Sequence, residues 1–452
     1  MRGIKKTAAI AGSVLMVSGL VAGCGSGNST GNQTSSQNTT STKTSSSGVV
    51  DFSHASGTIV WAAPPITTGT DLRTALIKQF EKEYPNIHVQ LQSQNSNTDT
   101  NKASLTTTIG GGSATPDVYL GDVVWPAQFA NSQLAMPLNN VLPKDFWSRF
   151  SNGLVSGATY KGQIYAAPFF VDSSFLFYRK DLLKKAGLPV PTSWEQVQQE
   201  ASQLQKSGLV KYGFVWQGAS YEGLTCDFTE FLADAGGQVL DSSGKPQLDS
   251  AQANKALAFL RGLITSGVSP AAEDTFQEPQ AEDVFVQGNA AFMRNWSYSW
   301  NDSQSATNSK VVGKVGVTVL PKFGGGAGYS TIGGWDLYVN PHTKNLPAAL
   351  AFINWMTGTE AQSIMAKQFS EIPANASVAA DPSIQSTSPV FKAASQTHYV
   401  SRPSQSPNYA QISQAIYTNV NAALAGSDSI SDALKKAQQR IESVQSSAGG
   451  GL

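Results

Sequence analysis

The stretch on which the fold reading turns is TIVWA (58–62), followed by DLRTALIKQFEKEY (71–84), Pro85-Asn86 and IHVQL (87–91). Its first piece is a short apolar strand. In the second, Leu72, Ala75, Leu76, Phe80 and Tyr84 recur at helical spacing, which gives a helix one apolar face that must be laid against something. Thr70 is placed to cap its start, Pro85-Asn86 stops it, and another strand follows. Two strands joined by a helix make a parallel pair with a right-handed crossover, the unit of an open α/β sheet. A third strand, Asp117 to Leu120, ends in Gly121-Asp122. Ligands in such sheets sit beyond the carboxyl ends of the strands. Asp122 therefore stands either as a binding carboxylate or as a loop aspartate that caps the next segment.

Working outward toward the N-terminus, residues 1–23 have the pattern of an export signal: Arg2, Lys5 and Lys6, an apolar run from Ala8 to Leu20, then Val21-Ala22-Gly23 before Cys24. The run is short for a membrane span. It resembles the bacterial lipobox, and that resemblance implies a diacylated Cys24 as the mature N-terminus, anchored to the extracellular face of the cell membrane. Residues 25–48 are almost wholly Gly, Ser, Thr, Asn and Gln, a composition that cannot join a core and reads as a disordered leash within a linker spanning 24–55.

About 400 residues remain, more than one hydrophobic core normally organises, so two lobes are expected. The chain is 40% hydrophobic with net charge +0, which offers no electrostatic argument for nucleic acid as a partner. With Cys24 lipidated only Cys226 would remain, leaving no intrachain disulfide, and the four histidines have no metal-ligand spacing. No cofactor or metal is implied. Charged residues are only 14%, and sparing use of carboxylates suits an acidic medium, where their protonation would otherwise destabilise the fold. Gly110-Gly111-Gly112 and Gly324-Gly325-Gly326 lack the Lys-Ser/Thr of a phosphate loop and read as loops.

Farther on, Pro168 and Asp172, Phe177-Tyr178-Arg179-Lys180-Asp181-Leu182-Leu183 and Pro191-Thr192-Ser193-Trp194-Glu195 precede Phe285-Val286-Gln287-Gly288-Asn289-Ala290-Ala291-Phe292-Met293 and Arg294-Asn295-Trp296. Val317 to Phe323 and Gly333-Gly334-Trp335-Asp336-Leu337-Tyr338-Val339 come next, before a helix with Pro347 at its start and Gly358 at its end. In order and spacing these blocks resemble the sugar-binding proteins of ABC importers, over about Thr58 to Ile372. The resemblance implies a type II periplasmic-binding-protein fold, α/β, with two mixed-sheet lobes joined by a hinge. Lobe 1 would take 56–167 and 322–359, lobe 2 would take 168–321 and 360–446, and 447–452 would be a tail. The chain would cross near Ala167 and Pro321. A monomer would close on an oligosaccharide and dock on the transmembrane subunits of an ABC permease.

A pyranose presents hydroxyls, which want carboxylates, and a face of CH groups, which wants an aromatic surface. Trp296 and Trp335 are the stacking candidates because each lies beside small or polar residues; Asp122 and Asp172 are the hydroxyl acceptors, ionised acceptors making the stronger hydrogen bonds. Trp61, Trp147, Trp194 and Trp355 read as packing, and Trp125 is open. Tyr221-Glu222-Gly223-Leu224-Thr225-Cys226-Asp227-Phe228 and Arg294-Asn295-Trp296 look most like the trehalose and maltose binders. In that subgroup the positions of Asp122, Asp172, Trp296 and Trp335 touch sugar, and Gly334 offers backbone. Three features depart from it: Phe170 stands where a tyrosine is expected, no arginine follows Pro373 in the segment Glu371 to Asn375, and Ala63-Pro64-Pro65-Ile66 lacks a glutamate. Tyr221 and Glu222 are further lining candidates, with Glu222 and Asp227 alternatively bracing a helix start. Asp122, Asp172 and Glu222 would also serve a glycoside hydrolase, and the anchor and leash would serve a surface adhesin.

Overall fold

The computed structural model describes residues 48–66 and 71–449. Cys24, the export signal, most of the leash and the Thr70 cap lie outside the described residues.

In chain order the strands are β1 (Gly57–Ala63), β2 (Ile87–Ser93), β3 (Val118–Asp122), β4 (Thr159–Tyr160), β5 (Gln163–Ile164), β6 (Ala167–Asp172) and β7 (Ser174–Arg179). Next come β8 (Tyr212–Val215), β9 (Ala290–Trp296), β10 (Val315–Thr318), β11 (Tyr329–Thr331), β12 (Gly333–Val339), β13 (Ile372–Pro373) and β14 (His398–Val400). Two principal sheets result: six strands in the order β13-β6-β12-β3-β1-β2, and four in the order β10-β7-β9-β8. Both are mixed. The opening βαβ unit forms as the sequence predicts, with β1 and β2 parallel from Gly57 beside Ile87 to Ala63 beside Ser93. The helix between them, Leu72–Glu83, is capped by Asp71, whose side chain accepts from the Arg73 amide. Its Leu72, Leu76 and Phe80 are buried, and Phe80 meets Phe352 edge to face, ring centroids 5.1 Å apart.

Each sheet has its own core. The larger is covered by the helix Leu72–Glu83 and by Leu346–Met356, whose Phe352 and Ile353 join Ile59, Trp61 and Leu120 in one cluster. Helices Trp194–Lys206, Glu222–Asp234 and Ala251–Thr265 pack with the smaller sheet around Trp194, Phe214, Phe231 and Leu257. Tyr409–Leu424 and Ile430–Gly449 add Ile416, Val420 and Leu434 to that core.

The lobe boundaries differ from those expected. β6 belongs to the larger sheet, so the chain leaves it through Ser173, beyond Asp172, not at Ala167. Pro168 is accommodated because its register position, beside Asp336, adjoins a β-bulge between Trp335 and Asp336, where a missing N–H does not interrupt the ladder. The return lies at Ile332 and not near Pro321: Leu320 still packs in the second core, and Lys322 bridges Ser193. Helix Thr359–Phe369 sits on the first lobe, with Met365 and Phe369 in its core. A third passage follows β13, and β14 pairs in parallel with β11 to make a two-stranded ribbon at the hinge.

Candidate functional site

Strand ends from both sheets meet around one cleft. β12 starts there and runs antiparallel to both neighbours, which sets Trp335 opposite Asp122 on one side and Phe170 on the other, with Gly333 opposite Asp172. From the second sheet β9 ends at Trp296, opposite Ser174. The wall comprises Asp122, Phe170, Asp172, Trp296, Gly334, Trp335 and Glu222 from the sequence reading, together with residues it did not single out as lining: Cys226, Glu278, Tyr298, Glu371 and Arg402.

The two tryptophans are held differently. Trp335 is half-buried, and its indole meets the edge of Trp125 with centroids 6.1 Å apart. Trp125 itself is buried and stacked on Phe129; it supports Trp335 from behind. Trp296 is 9% exposed, with the Arg294 guanidinium 4.2 Å from its ring centroid. What remains open of Trp296 lines the cleft. Arg294 is wholly buried and pairs with Glu230 at 2.6 Å and Asp227 at 3.0 Å. Glu230 also accepts from Ser174 Oγ and the Thr331 amide, so one carboxylate ties both hinge crossings to the support of Trp296. Asp227 serves this network and does not line the cleft.

Gly334 has φ +119, and a Cβ there would lie 2.3 Å from the Phe170 carbonyl, a position only glycine fills without strain. Its carbonyl accepts from the Val123 amide. Gly334 thus lets β12 approach β6 beside Trp335.

Asp122 is not a bare acceptor. Arg402 donates to both of its oxygens, at 3.0 and 3.3 Å, and to Glu222 at 2.7 Å. Glu222 opens its helix with Tyr221 as N-cap, accepts also from the hydroxyls of Tyr409 and Ser413, and donates its amide to Asp99 of the first lobe at 3.0 Å. It therefore both lines the cleft and braces the helix. Burial raises its pKa, with Arg402 opposing and Asp122 adding. Burial works against the Arg402 charge, and the surrounding acids, Asp122 first, overcome it. Asp172 accepts on Oδ1 from Ser297 N, Ser297 Oγ and Ser173 N; burial lifts its pKa to about 6 against those donors.

Tyr221, expected in the wall, is buried behind it. Its hydroxyl donates to Glu278 at 2.6 Å, and Glu278 in turn accepts from Trp296 Nε1 at 3.4 Å. Trp61 and Trp194 are fully buried and Trp355 nearly so, as packing residues. Nothing in the SRPSQSP run (401–407) announces Arg402, which is brought to Asp122 by β14 across 280 positions. Glu278-Pro279 does carry a signal, the start of a helix with proline in its first turn. Among the described residues no cluster has a metal-ligand set, and no helix is long and apolar enough to cross a membrane.

An arrangement of ring faces, carboxylates and one guanidinium, divided between two lobes, is equipped to bind a polar solute by closing on it. Residues 64–363 match the model of the bacterial extracellular solute-binding protein family. A probable ABC transporter-binding protein of Deinococcus radiodurans is 34% identical over 347 residues, 75% of this chain and 82% of its own. The mannitol-binding protein of Pseudomonas aeruginosa is 28% identical over 315 residues, 65% of this chain and 72% of its own. Among solved structures, maltose-bound MalE3 of T. maritima superposes with a TM-score of 0.79 at 33% identity, covering 85% of this chain and 99% of that one. These relatives are binding proteins of transporters and not enzymes, which removes the hydrolase alternative. The chain belongs to the bacterial extracellular solute-binding protein family.

Proposed function

We propose that this protein is the receptor of an ABC importer for neutral sugars or polyols, and that its ligand is an α-glucoside such as trehalose, maltose or a maltodextrin. The observation that carries this reading is the convergence of ring faces and carboxylates from two lobes on one cleft: Trp335 of β12, opposite Asp122 of β3 and Phe170 of β6, and Trp296 at the end of β9 all line it. Indole faces suit the CH surface of a pyranose, and Asp172 and Glu222 suit its hydroxyls. The maltose bound by MalE3 and the mannitol of the Pseudomonas protein support the sugar and polyol classes.

In this mechanism the sugar enters between the lobes, its ring lies on Trp335 or Trp296, and the hinge at Ser173 and Ile332 closes. The closed form docks on permease subunits, and ATP is hydrolysed elsewhere. A diacylated Cys24 would keep the receptor at the outer face of the membrane, the leash giving it reach. Small-angle scattering with and without maltose, trehalose or D-mannitol tests closure. Contraction with at least one of them is expected, and an unchanged profile with all three would count against a closing receptor for this class.

A further inference from the structure

Glu371 stands immediately before β13, fully buried in the wall of the cleft. Donors are scarce around it among the described residues. Its Oε2 has the Ser297 hydroxyl at 3.3 Å, and its Oε1 has no partner. That hydroxyl is committed elsewhere, 2.7 Å from Asp172 Oδ1. The same Asp172 oxygen takes two backbone amides, those of Ser297 at 3.0 Å and Ser173 at 2.8 Å. A serine hydroxyl has one proton to give. Asp172, with three donors on one oxygen, is the member of the pair built to carry charge, and Glu371 is not. A buried carboxylate short of donors carries a heavy desolvation penalty, which it escapes by keeping its proton.

The groups facing Glu371 act in the same direction. Burial and the charge of Asp172, with a smaller contribution from Asp302 in the helix Ser299–Ser303, hold its pKa well above the usual carboxylate range against the Ser297 contact. Helix Thr359–Phe369, packed on β13, turns Glu360 and Lys367 to solvent. Within the cleft the other ionisable groups are Asp122, Glu222, Cys226, Glu278, Tyr298 and Arg402.

We propose that Glu371 is a specificity-determining residue of the cleft, a neutral carboxylic acid whose O–H donates to an oxygen of the bound solute beside Asp172 as acceptor. This inference rests on the sugar or polyol reading above. A vicinal diol fits such a pair: one oxygen takes the Glu371 proton while the next hydroxyl donates to Asp172. The sign of the pH effect follows, since raising the pH through the Glu371 pKa removes the donor and weakens binding, whereas acidification leaves it in place.

The test is fluorescence titration of the wild type, Glu371→Gln and Glu371→Leu with maltose, trehalose and D-mannitol from pH 5 to pH 10. Glutamine keeps the shape and a donor but cannot ionise. The wild type should weaken by about tenfold or more from pH 7 toward pH 10, and Glu371→Gln should stay within about threefold of the neutral-pH wild type over that range; below pH 6 both should weaken together as Asp172 gains a proton. Glu371→Leu should be about tenfold weaker than the neutral-pH wild type at pH 7 and stay so to pH 10. Binding by Glu371→Leu equal to wild type, a Gln variant as weak as the Leu variant, or a wild-type profile flat to pH 10 would each overturn the assignment. If the wild type binds none of the three solutes, the sugar reading fails and this inference falls with it; variants that fail while the wild type binds concern Glu371 alone.

Discussion

Asp122 and Glu222 come from opposite lobes and meet on one guanidinium, that of Arg402, at 3.0 and 2.7 Å. Arg402 also donates to the Ile332 carbonyl at the second hinge crossing. The bridge therefore fixes the cleft floor to the hinge, and its three side chains have little water to screen them.

Breaking that bridge from its centre leaves two buried carboxylates facing each other. Arg402→Met should lose about 3–5 kcal/mol, read as a shift in the urea midpoint. Combining it with Asp122→Asn and Glu222→Gln removes every charge and should restore most of the loss. A single variant as stable as the wild type would show that the bridge does not hold the lobes.

Trp296→Ala and Trp335→Ala should each weaken sugar binding by more than about tenfold, equivalent to about 1.4 kcal/mol, while the circular dichroism stays native. Their stabilities should differ: Trp296 packs against Arg294 and the backbone of Gly333, whereas Trp335 is half-buried with one edge on Trp125. Trp296→Ala should therefore unfold at lower urea. Unchanged affinity in both would remove the stacking roles.

Much of this was legible in the sequence. Helical spacing from Leu72 to Tyr84 between two apolar runs gave the βαβ unit, and the strand-end argument put Asp122 in the cleft wall. Local patterns reach only local neighbours, however. Arg402 lies in a loop without periodicity, and its partner Asp122 is remote in the chain, so no spacing could reveal the pair. The boundary expected at Ala167 has the same root: it came with the family resemblance, and only the pairing of β6 with β12 shows that the strand runs on through Pro168 to Asp172. Tyr221 falls just behind the wall because its hydroxyl donates to the Glu278 carboxylate, a contact between residues far apart in the chain that no local pattern announces.

Gly334→Ala should lower stability by roughly 3 kcal/mol, since the added Cβ meets the Phe170 carbonyl and φ is positive. Differential scanning calorimetry reads the loss. Sugar affinity should fall too, because the same strand sets Trp335 opposite Asp122. A variant with wild-type melting and affinity would contradict the close approach of β12 to β6.

Burial raises the pKa of Asp336 to about 8, with the neighbouring Asp122 charge adding. The unfolded chain ionises this group near pH 4, so its stabilising contribution is full below that and is lost as pH rises to about 8. The slope approaches about 1.4 kcal/mol per pH unit within that window. Thermal melts should show higher stability at pH 5 than at pH 8, with a smaller difference in Asp336→Asn. This direction agrees with the acidic medium suggested by the low charge content. A melting temperature that falls sharply below pH 5 would count against it.

As proposed above, the cleft takes an α-glucoside and leaves it intact. Calorimetric titration of the leader-free protein with trehalose, maltose, maltotriose, sucrose and cellobiose, each mixture then assayed for cleavage, tests it most directly. Tight binding of trehalose, maltose or maltotriose with no hydrolysis is the expected result. Heat-silent titrations with all five, or release of glucose from any, would contradict it.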